Sequence, residues 1–127
     1  VVVGAEPATE EVLATAHDPA YVAAVQQASA TGRPDPAHGL GTADDPCFPG
    51  VHEAAARIVA GSVEAADAVW SGEVLHAVNI AGGMHHARRS TAAGFCIYND
   101  AVAAIRRLLE AGAERVAYVD LDAHHGD

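Results

Sequence analysis

Residues 98–127 read YNDAVAAIRRLLEAGAERVAYVDLDAHHGD, and the order of patterns in this stretch decides the fold class. Asn99 or Asp100 offers a side-chain oxygen to the first turn of a helix. Its Val102, Ile105, Leu108 and Leu109 fall on one face, with Arg106, Arg107 and Glu110 outside. Gly112 supplies a left-handed stop. Arg115 to Leu121 then reads as an apolar strand running into Asp122, Ala123, His124, His125, Gly126 and Asp127. Upstream, Val74 to Ile80 reads as another strand, broken by Gly82-Gly83 just before Met84-His85-His86. Strand, helix, strand at this spacing predicts a βαβ unit in the parallel sheet of an α/β fold.

Side chains alternate faces along a strand, so Tyr118, Asp120, Asp122 and His124 are expected to share one side. Ligands of parallel α/β sheets bind outside the carboxyl ends of the strands, which is where this run falls. Asp122-x-His124 offers one oxygen and one nitrogen to a divalent metal, and zinc accepts both. Such a pair can also be only a cap beside a satisfied polar residue. Several polar groups ending an apolar strand favour the metal, because buried carboxylates need a counter-charge, from a metal or a potassium-like cation. His85 and His86 start the neighbouring loop, where each imidazole could find its own carboxylate to fix its tautomer. That arrangement suits a general base working beside a metal.

Further out, Asp18 to Ala28 predicts a short helix with Asp18 as N-cap, Pro19 at the first position, and Tyr21, Val22, Val25 and Ala28 on one stripe. Thr31 to Pro46 holds three Gly and three Pro and reads as a long loop, of the kind that often carries function. A second helix is expected from Val51 to Ala60. After Gly61 a third begins, with Ser62 as N-cap and Val63, Ala66 and Trp70 facing one way.

The chain has 127 residues, half of them hydrophobic, enough for one packed core. Seven basic residues, all Arg, face seventeen Asp and Glu, and the net charge of −10 argues against binding to nucleic acid or an anionic membrane. No apolar stretch approaches the roughly 20 residues needed to cross a bilayer, and Val1 opens no charged-then-apolar leader. Cys47 and Cys96 form no disulfide-rich or CxxC pattern, which fits a reducing cytoplasm.

Residues 82–102, GGMHHARRSTAAGFCIYNDAV, followed after one helix by YVDLDAHHGD, resemble the histone deacetylase superfamily. GLGTADDPCFPGVHEAA resembles its bacterial acetoin-utilisation branch, so the resemblance covers about Pro7 to Asp127. It implies a three-layer α/β/α fold with a parallel sheet, of the arginase/deacetylase kind, incomplete in this chain. It further implies that Asp122 and His124 are two of three zinc ligands, and that His85 and His86 are tandem catalytic histidines, the second the general base. Asp120 would support the first histidine and bind a structural potassium ion; Asp127 would pair with the second. Gly94 and Phe95 would wall a narrow acyl-lysine tunnel, an aromatic face packing against methylenes, and Asp44 would accept hydrogen bonds from substrate backbone. Cys96 is expected to be a small packed hydrophobe.

The implied chemistry is hydrolysis of acetyl-lysine on proteins, with acetylpolyamines as the alternative substrate. Zinc would polarise the acetyl carbonyl and acidify water while a histidine moves the proton. The family's third ligand, an Asp, and its oxyanion-binding Tyr have no counterpart in these residues, so the chain is expected to be a part of the domain with little activity alone. An arginase-like two-manganese site would need an Asp two positions after His124, where Gly126 stands, so a single metal is expected. A non-catalytic acyl-lysine binding module would keep this fold without the chemistry.

Overall fold

A computed structural model describes residues 4–127, in which four α-helices surround one hydrophobic core. Helix α1, Glu10–Ala16, starts at Thr9, whose hydroxyl accepts from the Val12 amide at 3.4 Å, and Glu10 and Glu11 complement the positive end of its dipole. At seven residues the helix is too short to show a readable period in the sequence. It buries Leu13. Helix α2, Pro19–Thr31, matches the expected stripe, burying Tyr21, Val22, Val25 and Ala28, and runs one turn further to end at Gly32. Asp18 holds the N-cap position but makes no side-chain cap bond; its carboxylate takes Arg89 Nε at 2.6 Å and Ser90 Oγ at 2.5 Å instead.

Helix α3, Val51–Trp70, is one continuous rod and not two helices divided at Gly61. Its backbone hydrogen bonds outweigh the modest helix penalty of a single glycine. Gly61 leaves room for the Asn79 side chain, whose amide would lie 3.1 Å from a Cβ there. Ser62 is therefore no cap. Helix α4, Asp100–Glu110, is capped by Asn99, whose side-chain oxygen accepts from the Val102 amide at 3.0 Å. It packs mainly on α3, and Arg107 Nε reaches Asp67 at 2.7 Å across the two helices.

The core joins these helices to the loops that carry the chemistry. Tyr21 is fully buried and donates its hydroxyl to the Ile97 carbonyl at 2.7 Å. His17 is equally enclosed: Nδ1 faces the Arg88 carbonyl at 3.0 Å, and Nε2 accepts from the Asn99 amide at 2.9 Å. One imidazole thus ties the end of α1 both to the segment after His86 and to the cap of α4. Within the long loop, Pro36–His38 forms a 3-10 turn, an Asp35–Leu40 bridge closes around it, and Leu40 is buried.

The two expected strands are not strands here. Among the described residues the only bridges are isolated, Asp35 with Leu40 and Ala93 with Cys96. Neither Val74 to Ile80 nor Arg115 to Leu121 joins a ladder. A strand is defined by its partner's hydrogen bonds, and apolar alternation alone cannot supply them. Ile80 is 97% exposed and Leu121 92%, so these runs present apolar side chains that α1–α4 do not cover. Asn79 pins the first run to α3 through bonds to the Ile58 carbonyl at 2.8 Å and Ser62 Oγ at 2.9 Å.

Candidate active site

Three loops meet around one cleft: residues 82–90 with the two histidines, residues 93–96, and the segment from Asp120. His85, largely buried, places Nδ1 at 2.6 Å from Asp120 Oδ2. The Asp122 amide donates to Asp120 Oδ1 at 3.0 Å, and Tyr118 donates its hydroxyl to Oδ2 at 3.3 Å. Above all the Asp122 amide, then His85, holds the Asp120 carboxyl below the usual carboxylate range. His86 Nδ1 lies 3.5 Å from Asp127 Oδ2, while Arg88 Nη2 donates to Asp127 Oδ1 at 3.0 Å. Arg88 is the main reason that the Asp127 carboxyl is also depressed. The two imidazoles stand 4.2 Å apart, each with its own carboxylate. Adjacent histidines achieve this because the chain turns sharply just before them, with Gly83 at φ +92°.

Asp122 Oδ1 accepts from the His124 amide at 2.8 Å and lies 2.8 Å from His124 Nδ1. That amide first, then the ring, lowers the Asp122 carboxyl. Two ligands of a tetrahedral zinc stand about 3.3 Å apart when each bond is about 2.0 Å. At 2.8 Å the two atoms are hydrogen-bonded to each other, so they would have to separate and the ring give up its Nδ1 proton to serve one metal, although the oxygen-nitrogen donor set suits zinc. It fits as part of a set: among the described residues no group of three or more His, Cys, Asp or Glu side chains gathers to complete one. Both oxygens of Asp120 receive hydrogen bonds, Oδ2 from His85 and Oδ1 from the Asp122 amide.

His85, His86, Gly94, Phe95, Asp122 and His124 line one open cleft of about 530 Å³, and Asp44 lies on its wall. All the positions singled out in the sequence thus come to this cleft or stand directly behind it, as Asp120 and Asp127 do. Gly94 has φ +54°, and a Cβ there would come 2.5 Å from the His86 ring. Phe95 follows at φ +68° and is 73% exposed, a left-handed aromatic residue held in a sterically costly corner. Cys96 is buried, and burial pushes its thiol up, which leaves it a packing residue and not a nucleophile.

Three contributors were missed in the sequence. Arg88 anchors Asp127. Asp45, next to Asp44, is buried with Oδ1 unpartnered; burial and the Asp44 charge raise its carboxyl. Asp100 turns its carboxylate away from its own helix toward Gly83 and Met84. Only the Asp-Asp doublet and the glycine pair hinted at these roles.

Two histidine–carboxylate couples and an Asp-x-His pair thus meet around one cleft. The histone deacetylase domain matches residues 1–127, and the chain belongs to that family. It is 49% identical over 123 residues to the acetoin utilization protein AcuC of Bacillus subtilis (strain 168), covering 94% of this chain and 32% of that protein. The AcuC of Staphylococcus aureus (strain MSSA476) is 39% identical over the same length. The chain therefore spans about a third of the length of these curated relatives. A crystal structure of an HDAC homolog complexed with SAHA superposes with a TM-score of 0.88 at 33% identity, over 97% of this chain and 34% of that one. The HDAC homolog from Aquifex aeolicus gives 0.87 at 31% identity, with the same coverage.

Proposed function

We propose that this chain is part of a zinc-dependent deacetylase that hydrolyses acetyl-lysine on proteins in a bacterial cytoplasm. The observation that carries the reading is the pair of couples, His85 with Asp120 and His86 with Asp127, lining the cleft that Asp122 and His124 also enter. Family membership and the bacterial AcuC relatives support it. In the complete domain the bare runs 74–80 and 115–121 would pair as strands of a parallel sheet in a three-layer α/β/α fold. Asp122 and His124 would hold the zinc with one further ligand, and a potassium ion would sit near Asp120. When bound, zinc supplies carbonyl polarisation and the acidification of water.

The chain's own residues do the rest. Asp120 accepts a proton-bearing Nδ1 from His85 and so leaves that ring's Nε2 as its free nitrogen. Asp127 sets His86 in the same way, and Nε2 of His86 takes the proton of the attacking water and returns it to the departing amine. Phe95 packs against the methylenes of the acyl-lysine stem, and Gly94 lets the stem pass close to His86. Asp44 accepts the substrate's backbone N–H groups.

The acidic wall formed by Asp44, with Asp45 behind it, favours a second substrate class, the acetylated polyamines. The test is hydrolysis by the full-length protein, stripped of metal and reloaded with zinc, on an acetyl-lysine peptide and on an acetylpolyamine. Zinc-restored hydrolysis of the peptide supports the first reading, and preference for the polyamine the second. Hydrolysis of neither, with zinc bound, would assign the fold to acyl-lysine binding without chemistry.

A further inference from the structure

We propose that Asp100 is a positioning residue for the tandem histidines, its carboxylate clamping the loop from which His85 and His86 enter the cleft. The proposal rests on the deacetylase reading of that cleft. Asp100 is the first residue of α4 and is buried, 3% exposed, yet it caps nothing in its own helix, because Asn99 does that. Its Oδ1 accepts from the Gly83 amide at 3.0 Å and the Met84 amide at 2.8 Å. Oδ2 accepts from Ser62 Oγ at 2.5 Å and is 3.2 Å from the Gly83 amide. Ser62 is in turn held by Asn79, which also bonds the Ile58 carbonyl. The clamp is thus braced on α3, and hydrogen bonds to a carboxylate are among the stronger ones a protein makes.

The glycine pair is shaped to this carboxylate. A side chain on Gly82 would strike Asp100 Oδ2, and Gly83 takes the left-handed turn that aims two consecutive amides at it. Downstream, the Asp127 amide donates to the His85 carbonyl at 3.0 Å, so the histidine segment is fixed from both ends. Loss of the carboxylate would take the acceptor from two consecutive amides, those of Gly83 and Met84, and free the upstream end. A shift of about 1 Å in a reacting group costs about 100-fold in rate.

The experiment compares full-length, zinc-loaded wild type with Asp100→Ala, Asp100→Asn and Ser62→Ala, and with Arg107→Ala as a control that cuts a surface contact between the same two helices. The expected result for Asp100→Ala is a fall of about 30-fold or more in kcat on an acetyl-lysine peptide, with KM changed less than about threefold. Asp100→Asn, which keeps one accepting oxygen, should recover part of the loss, and Arg107→Ala should lose nothing. In histidine-labelled protein, the Nδ1–H resonance of His85 should move in Asp100→Ala and stay put in Arg107→Ala. An unchanged kcat with an unmoved resonance would overturn the clamp, as would an equal loss in Arg107→Ala. Should the wild type hydrolyse no acetylated substrate, the deacetylase reading fails, and the resonance alone decides the clamp. Should Asp100→Ala fail to fold, Asp100→Asn and Ser62→Ala carry the same comparison.

Discussion

His85 Nδ1 and Asp120 Oδ2 meet at 2.6 Å, a bond between residues 35 positions apart that fixes the ring at the floor of the cleft. Asp120 also receives the Asp122 amide, so the carboxylate that orients the histidine is itself oriented by the segment bearing Asp122.

Replacing Asp120 with Asn should therefore lower kcat by about 10- to 100-fold, the usual cost of losing a carboxylate that orients an imidazole beside a metal. KM should change little, since Asp120 stands behind the histidine and not against substrate. Steady-state kinetics of the full-length variant checks this; full activity would remove Asp120 from the mechanism.

The proposed metal pair, Asp122 and His124, makes a second prediction. Asp122→Ala or His124→Ala in the full-length protein should abolish both tight zinc retention and hydrolysis. The 127-residue chain by itself, with two candidate ligands, should hold zinc weakly and hydrolyse little or nothing. Metal content after dialysis, measured beside activity, tests both statements. A chelator-sensitive rate from the short chain would contradict them.

Phe95 invites a separation of stability from function. Its left-handed backbone costs about 1 kcal/mol or more in a non-glycine residue, and its ring is 73% exposed. Phe95→Gly should leave the melting temperature unchanged or raise it, while KM for an acetyl-lysine peptide rises several-fold as the stem loses its aromatic wall. A marked fall in melting temperature would show that the ring's packing outweighs the strain.

His17 predicts a pH dependence. Burial lowers its pKa below the ordinary 6.5, and the Asn99 amide already points at Nε2, where a second proton would sit. The folded state therefore binds fewer protons than the unfolded one, and stability rises with pH between the depressed folded pKa and about 6.5. Denaturant midpoints should drop as pH is lowered from 7.5 towards 5, and His17→Gln should flatten that part of the curve. An equal slope in the variant would move the effect to other groups.

The helices with explicit punctuation were legible in the sequence. Pro19 after Asp18 marked α2, and Asn99 with its apolar face marked α4. Helix α1 was missed because seven residues with one threonine cap give too short a period to read. The break expected at Gly61 failed because a glycine that makes room for Asn79 looks, in one dimension, like a glycine that ends a helix. The strands failed for another reason: pairing is a property of two segments, and the helices alone provide no ladder. Candidate site residues stood out as polar groups beside apolar runs and a glycine pair, and contacts between distant positions, such as His85 with Asp120, bring them to one cleft. Asp100 and Arg88 were not, since their partners are chosen by the packing of α4 on α3 and by the approach of the chain end.

The bare runs have a further consequence for synthesis. A ribosome adds about 5–20 residues each second, and because contacts such as Tyr21 with Ile97 join positions 76 apart, the core of α1–α4 closes only once α4 has emerged. Leu75, Val78 and Ile80, with Val119 and Leu121, would then face the crowded cell uncovered until a sheet forms around them. In the proposed complete domain the helical framework and the histidine loop would in this sense be the early part of the molecule, and the sheet the late part. The interval between them is when a nascent chain of this kind is most exposed to aggregation and most in need of a chaperone.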